Sequence, residues 1–114
     1  MPIIVCFEGN LAEDPQLART PNTGTAVCEA VVLVSHRTRR QTDQGEEWVD
    51  APSTRYELKA WRRRAEALAS LRRGASVVVI GHVETESWED DEGKRHYRDK
   101  VVVDSLGETV RPPR

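Results

Sequence analysis

The chain alternates short apolar runs with polar turns, at intervals that predict strands. Ile3 to Phe7 is apolar and β-branched and stops at Gly9-Asn10, which predicts a first strand. Asp14-Pro15 and Pro21-Asn22-Thr23-Gly24 carry turn chemistry, and Gln16 to Thr20 extends between them as a short strand. In Ala26 to His36, Val27, Val31 and Leu33 line one face and Cys28, Ala30, Val32 and Val34 the other. A strand apolar on both faces is covered on both sides, by its own barrel and helix or by a partner subunit. Arg37 to Pro52 has no apolar period and carries Gln44-Gly45 at its middle, which predicts a long, mobile hairpin loop. Ser53 to Trp61 alternates cleanly: Tyr56, Leu58 and Ala60 face one way, Arg55, Glu57, Lys59 and Trp61 the other.

Arg62 to Arg73 is the one helix candidate, with Ala65, Leu68, Ala69 and Leu71 as a narrow apolar stripe. Arg72 and Arg73 suit the last turn of such a helix, and Gly74 suits its C-terminal cap. A helix of about twelve residues must pack on the strands to be stable. Ser76 to Trp88 and Arg95 to Leu106 are two further strands, joined by the charged tip Glu89-Asp90-Asp91-Glu92-Gly93-Lys94. Three strands, a helix and two strands is the order of an all-β OB-fold, a five-stranded Greek-key barrel with its helix between strands 3 and 4. An open antiparallel α+β sandwich is the structural alternative. One domain over residues 1–110 accounts for the chain, and residues 111–114 form a short polar tail.

Composition narrows the function. No run nears the ~18 consecutive apolar residues of a membrane span, and Met-Pro-Ile-Ile-Val-Cys-Phe at the start lacks a basic n-region. No membrane partner and a cytoplasmic location are therefore expected. Cys6 and Cys28 form neither a Cys-x-x-Cys pair nor a zinc site, and read as small buried residues in a reducing compartment. His36, His82 and His96 lie at no metal-ligand spacing and read as solvated or satisfied strand residues. The acidic run Glu89 to Glu92 reads as a solvated turn. No nucleophile elbow, phosphate loop or HExxH pattern occurs, so no enzyme, metal or cofactor is expected.

The formal net charge is −2, with 17 Lys and Arg against 19 Asp and Glu. That excludes a globally basic polyphosphate binder but leaves room for a local basic surface. Fourteen of the cations are Arg, whose planar fork pairs phosphates and stacks on bases. Ser35 to Arg64 sums to +3 and His82 to Lys100 to −3, so a near-neutral total conceals opposed regions. A sequence-tolerant single-strand binder needs cations along the backbone and flat side chains for bases, each stack being worth roughly 1–3 kcal/mol. The stacking candidates are Trp48, Trp61 and Trp88, with Tyr56 and Tyr97 behind them. The cation candidates are Arg37, Arg39 and Arg40 at the loop entrance, Arg55 and Lys59 on the third strand, and Arg62, Arg63 and Arg64 after it. Trp61 shares a polar face with Lys59 and Arg55, and Trp88 sits at a hairpin end, so neither reads as core. For Trp48 two readings stand: it stacks on a base, or it folds the loop back. Arg62-Arg63-Arg64 opens the helix, where cations are disfavoured, and reads either as a phosphate site or as a solvated face.

These residues resemble a known family. Gly9-Asn10-Leu11, Asp14-Pro15, Thr20-Pro21-Asn22-Thr23-Gly24, Trp61 with Ala65-Glu66, Arg73-Gly74-Ala75 and Gly81-His82-Val83 are similar to bacterial single-stranded DNA-binding protein from about Ile3 to Leu106, and the Arg-rich loop with Gly45-Glu46-Glu47-Trp48 most resembles actinobacterial members. The resemblance implies an OB barrel, a homotetramer and sequence-independent binding of single-stranded DNA in replication, recombination or repair. Two of the family's four stacking aromatics match, at Trp61 and Trp88. In place of the others stand Arg39 or Arg40 and, early in the third strand, Arg55. Glu84 and Glu86 stand where the family often carries basic residues. The family's linker and acidic tip have no counterpart before Arg114, so weak or no tail-mediated recruitment of repair proteins is expected. Family dimers pair their first strands, which would place Cys6 for an inter-subunit disulfide. The alternative function is an OB-fold assembly module of a primosome-like complex, acting through protein contacts.

Overall fold

The computed structural model describes residues 1–110, and their side chains except those of residues 37–40 and 48–51. The chain runs β1 (Ile3–Leu11), β2 (Gln16–Arg19), β3 (Ala26–Thr42), β4 (Gly45–Trp61), α1 (Arg63–Ala69), β5 (Ser76–Glu89) and β6 (Arg95–Glu108). The six strands form one sheet in the order β1-β5-β6-β4-β3-β2, and a further β1–β3 pairing closes it into a barrel. β4 and β6 pair parallel, Leu58 against Val101, and the other pairings are antiparallel. This is the OB-fold, with Gln16–Arg19 as a short extra strand on its edge.

The barrel interior is filled by small branched side chains from alternate positions. Leu11, Cys28, Val32, Leu58, Ala60, Val77, Val79, Val101 and Val103 are buried together, and α1 closes one end with Ala65 and Leu68. Phe7 and Tyr56 stack at the core margin with ring centroids 4.5 Å apart, so Tyr56 is a packing residue and not a free stacking surface. Cys28 is buried as expected, and burial pushes its thiol pKa up. Cys6 is exposed, contrary to the expectation from composition, because it points away from the interior on β1.

Two glycines sit where backbones meet. At Gly9 the strand β1 leaves β5 for β3: Gly9 pairs with Val77, Asn10 also with Leu33. A Cβ on Gly9 would lie 2.5 Å from the Leu33 carbonyl oxygen. The first strand therefore passes through Gly9 and ends at Leu11, beyond the glycine that reads as its terminator. A Cβ on Gly81 would lie 2.4 Å from the Val102 carbonyl oxygen, beside a register shift in β5–β6.

The predicted loop at residues 37–52 is instead a ladder. β3 and β4 stay paired from Arg37↔Asp50 to Thr42↔Gly45 around a turn at Asp43-Gln44, with one register shift near His36. Gln41 and residues 43–47 are exposed, so the described side chains at the tip of this arm form no core face, and the sequence there has no apolar period to read. The arm and the β5–β6 hairpin stretch the molecule to 61 × 40 × 29 Å, with a radius of gyration of 17.3 Å against about 13 Å for a compact domain of this length.

The helix is shorter than predicted, seven residues long, and Arg72 and Arg73 lie beyond it. Tertiary partners take over the backbone where another turn would form. The Arg73 N–H donates to Asp14 Oδ1 at 2.8 Å and the Gly74 N–H to the Leu11 carbonyl at 2.8 Å. Gly74 has φ +89°, which turns the chain back toward β5.

Candidate nucleic-acid interface

Alternation on β4 sends Leu58 and Ala60 inward and Arg55, Glu57, Lys59 and Trp61 outward. The outward face continues onto β6 with Arg98 and Lys100, onto β5 with Glu84, Glu86 and Trp88, and onto β3 with Glu29. Trp61 and Trp88 thus share one face at opposite ends. From the register, eight strand positions separate them, about 26 Å along the strands.

At the first end, Trp61 is 36% exposed and lines an open cleft of about 740 Å³ with the β2–β3 turn. Thr20, Pro21, Asn22, Thr23 and Thr25 form one wall; Trp61, Arg62 and Arg64 form the other. The threonine wall is rigid. Thr23 Oγ1 lies 2.7 Å from Oγ1 of both Thr20 and Thr25, and the Thr25 N–H donates to Thr20 Oγ1. Arg62 stands at φ 59°, ψ −123° as the residue before α1, a conformation that suits glycine. It is held there by its N–H donating to the Ala26 carbonyl at 2.8 Å. Arg64 donates through Nε to the Asp104 carbonyl at 2.6 Å. Among the described residues, Arg62, Arg63 and Arg64 are exposed and none has a carboxylate partner.

The middle of the face differs. Lys59 Nζ donates to Glu86 Oε1 at 2.7 Å and sits 5.2 Å from the Trp61 ring centroid, covering one face of the indole. Arg55 pairs with Glu57 at 3.0 Å, and Arg98 approaches the other Glu57 oxygen at 3.6 Å. Lys100 is buried, 3.1 Å from Glu29 and 3.3 Å from Glu86. Burial works against its charge, but the hydrogen bonds and charges of Glu29 and Glu86 outweigh it and raise its pKa. The Lys59 hydrogen bond, with Lys100 nearby, holds Glu86 below the usual carboxylate range.

At the far end Trp88 is 41% exposed. Its indole stacks on His96 at 5.5 Å, with Arg98 also 5.5 Å from the ring. Asp90 organises the hairpin tip: its carboxylate accepts from the Glu92 and Lys94 N–H groups and bonds His96 at 2.7 Å, which lowers its pKa. Tyr97 is strongly exposed at the same hairpin.

The structure therefore joins Trp61, Arg62 and Arg64 at one cleft, leaves Arg63 exposed beside it in sequence but outside its lining, and puts Trp88 on the same face. Arg55 and Lys59 lie on that face but engaged. The backbones of Arg37, Arg39, Arg40 and Trp48 belong to the β3–β4 arm; their side chains lie outside the described residues. Sequence reasoning passed over Arg98 and Lys100 as site residues, and read the threonine turn as turn chemistry without making it a wall of the site. The alternation of Arg98 and Lys100 against inward Val101 and Val103 is the signal that would have found the first two.

Fold and site define an OB barrel with a cationic, aromatic cleft at one end of its open face. Residues 4–109 match the single-strand binding protein family, and the chain belongs to that family. It is similar to single-stranded DNA-binding protein 2 of Streptomyces coelicolor, 38% identical over 110 residues, covering 95% of this chain and 53% of that one. It is also similar to the single-stranded DNA-binding protein of Mycobacterium tuberculosis, 39% identical over 109 residues, covering 94% of this chain and 64% of that one. The chain thus spans between about half and two thirds of the length of these two relatives. The crystal structure of the small single-stranded DNA-binding protein from Streptomyces coelicolor shares the fold, with TM-score 0.72 at 22% identity over 96% of both chains. Among the described residues no helix is long and apolar enough to cross a membrane.

Proposed function

We propose that the protein binds single-stranded DNA, as its relatives' names state of them, and does so without sequence preference. The observation that carries this reading is the Trp61 cleft: an accessible indole beside arginines with no carboxylate partner among the described residues. A base stacks on the open face of Trp61, flanking phosphates pair with Arg62 and Arg63, and Trp88 gives a second stacking point. Arg37, Arg39, Arg40 and Trp48 extend the contact along the β3–β4 arm. The process served is replication, recombination or repair at the nucleoid.

The protein acts as a homo-oligomer, a tetramer on the family pattern. Ile4, Cys6, Val78 and Ile80 form an exposed, largely apolar patch across β1 and β5, where Cys6 is directly opposite Ile80. Pairing of two such patches would bring Cys6 of each copy near the other and permit a disulfide between them. Sedimentation measures the first point, and non-reducing gels under oxidising conditions measure the second.

The central test is a titration with oligo-dT at low salt, read by tryptophan fluorescence. Quenching, with weaker binding to a duplex of the same length, is the expected result. No change at low salt overturns the reading and favours an assembly module that acts through protein contacts.

A further inference from the structure

Four cations on the barrel face are already held by carboxylates, three of them from other strands. Lys59 on β4 is bound to Glu86 on β5; Lys100 on β6 lies between Glu86 and Glu29 on β3; Arg98 on β6 and Arg55 on β4 share Glu57. A phosphate arriving here meets cations whose charge is cancelled within 2.7–3.6 Å. It also meets three carboxylates that repel it. Freeing Arg98 has a further cost, because Glu57 Oε2 is buried with no hydrogen bond and Arg98 is the cation beside it. Lys100 is too deeply buried to reach outward. The contrast lies just past Trp61 in the chain, where Arg62 and Arg63 are exposed and have no carboxylate partner among the described residues.

We propose that Glu57 and Glu86 are specificity determinants of the binding face: they occupy its cations and keep phosphates off the sheet, leaving them to the Trp61–Arg62–Arg63 end and to the β3–β4 arm. The strand crosses the sheet toward Trp88 with its bases, and its phosphates stay to the side. This deepens the single-stranded DNA reading and rests on it. It turns near-neutral net charge from an apparent obstacle into a means of choosing the strand's path.

The salt dependence of binding counts phosphates neutralised, with log K falling by about 0.7 per phosphate for a single strand against log salt. Replacing Glu86→Gln keeps the size of the side chain, leaves Lys100 its Glu29 partner, and releases Lys59. The expected result with oligo-dT is a slope steeper by about 0.7 and binding tighter at low salt, by up to about fivefold. Glu57→Gln, which releases Arg98 and Arg55, is expected to do the same. Adding Lys59→Ala to Glu86→Gln should cancel the gain. Glu92→Gln at the hairpin tip makes the same change in net charge without releasing a cation, and separates pair release from bulk charge. Circular dichroism and thermal melting confirm that each variant is folded.

If both glutamine variants keep the wild-type slope, or match Glu92→Gln, the proposal is overturned while DNA binding stands. If the wild-type protein itself does not quench with oligo-dT at low salt, it is the binding reading that fails.

Discussion

The two ends of the proposed binding face carry similar side chains and differ in what surrounds them. Trp61 and Trp88 are exposed to a similar degree and each has a cation near its ring. Around Trp61 the cations of the Arg62–Arg64 run have no carboxylate partner among the described residues, and a hydroxyl-braced turn makes the opposite wall of a cleft. Around Trp88 the indole is stacked on His96, itself bonded to Asp90, in a hairpin that carries Glu86, Glu89, Asp91 and Glu92. An aromatic ring alone therefore does not make a binding site for a polyanion; the balance of charge within a few ångströms decides how much a stack is worth.

The sharpest way to break this comparison is to remove each ring. Trp61→Ala is expected to weaken binding to oligo-dT by about ten- to a hundredfold, within the roughly 1–3 kcal/mol of a base stack. Trp88→Ala should weaken it by about fivefold or less. The reverse order in a fluorescence or filter-binding titration would invert the comparison. The next effect concerns charge. Arg63→Ala should make the salt slope shallower by about 0.7 while melting is unchanged, since Arg63 is exposed and its side chain has no partner among the described residues.

The smallest effect is one of pH. His82 bridges Asp104 at 2.9 Å and Glu84 at 2.7 Å, and those hydrogen bonds raise its pKa. A raised histidine stabilises the fold fully below its unfolded value near 6.5, and that contribution is lost as pH climbs through the folded value. The melting temperature should therefore fall modestly across that window, and His82→Gln should flatten the dependence. A melting temperature that rises over the same range would contradict the bridge.

Much of this was legible in the sequence, and the failures have physical causes. The barrel strands show because each has an inward face, as Leu58 and Ala60 alternate with Lys59 and Trp61. The β3–β4 arm does not show because its sequence carries no apolar period and its described tip residues are exposed. The end of α1 was hidden because Asp14 and Leu11, 59 and 63 residues away, claim the backbone N–H groups of Arg73 and Gly74. Regional charge sums misled for the same reason. The segment 35–64 sums to +3 and 82–100 to −3, yet Lys59–Glu86 and Arg98–Glu57 pair the two across the sheet. Only the register makes them neighbours.

Arg62 has a consequence for the protein's robustness. A side chain at φ 59°, ψ −123° costs on the order of 1–3 kcal/mol relative to glycine. Arg62→Gly should therefore melt at a higher temperature while binding a strand less well. The residue marks a position where a more durable protein and a better binder are different sequences, and selection for heat resistance alone would erase part of the site.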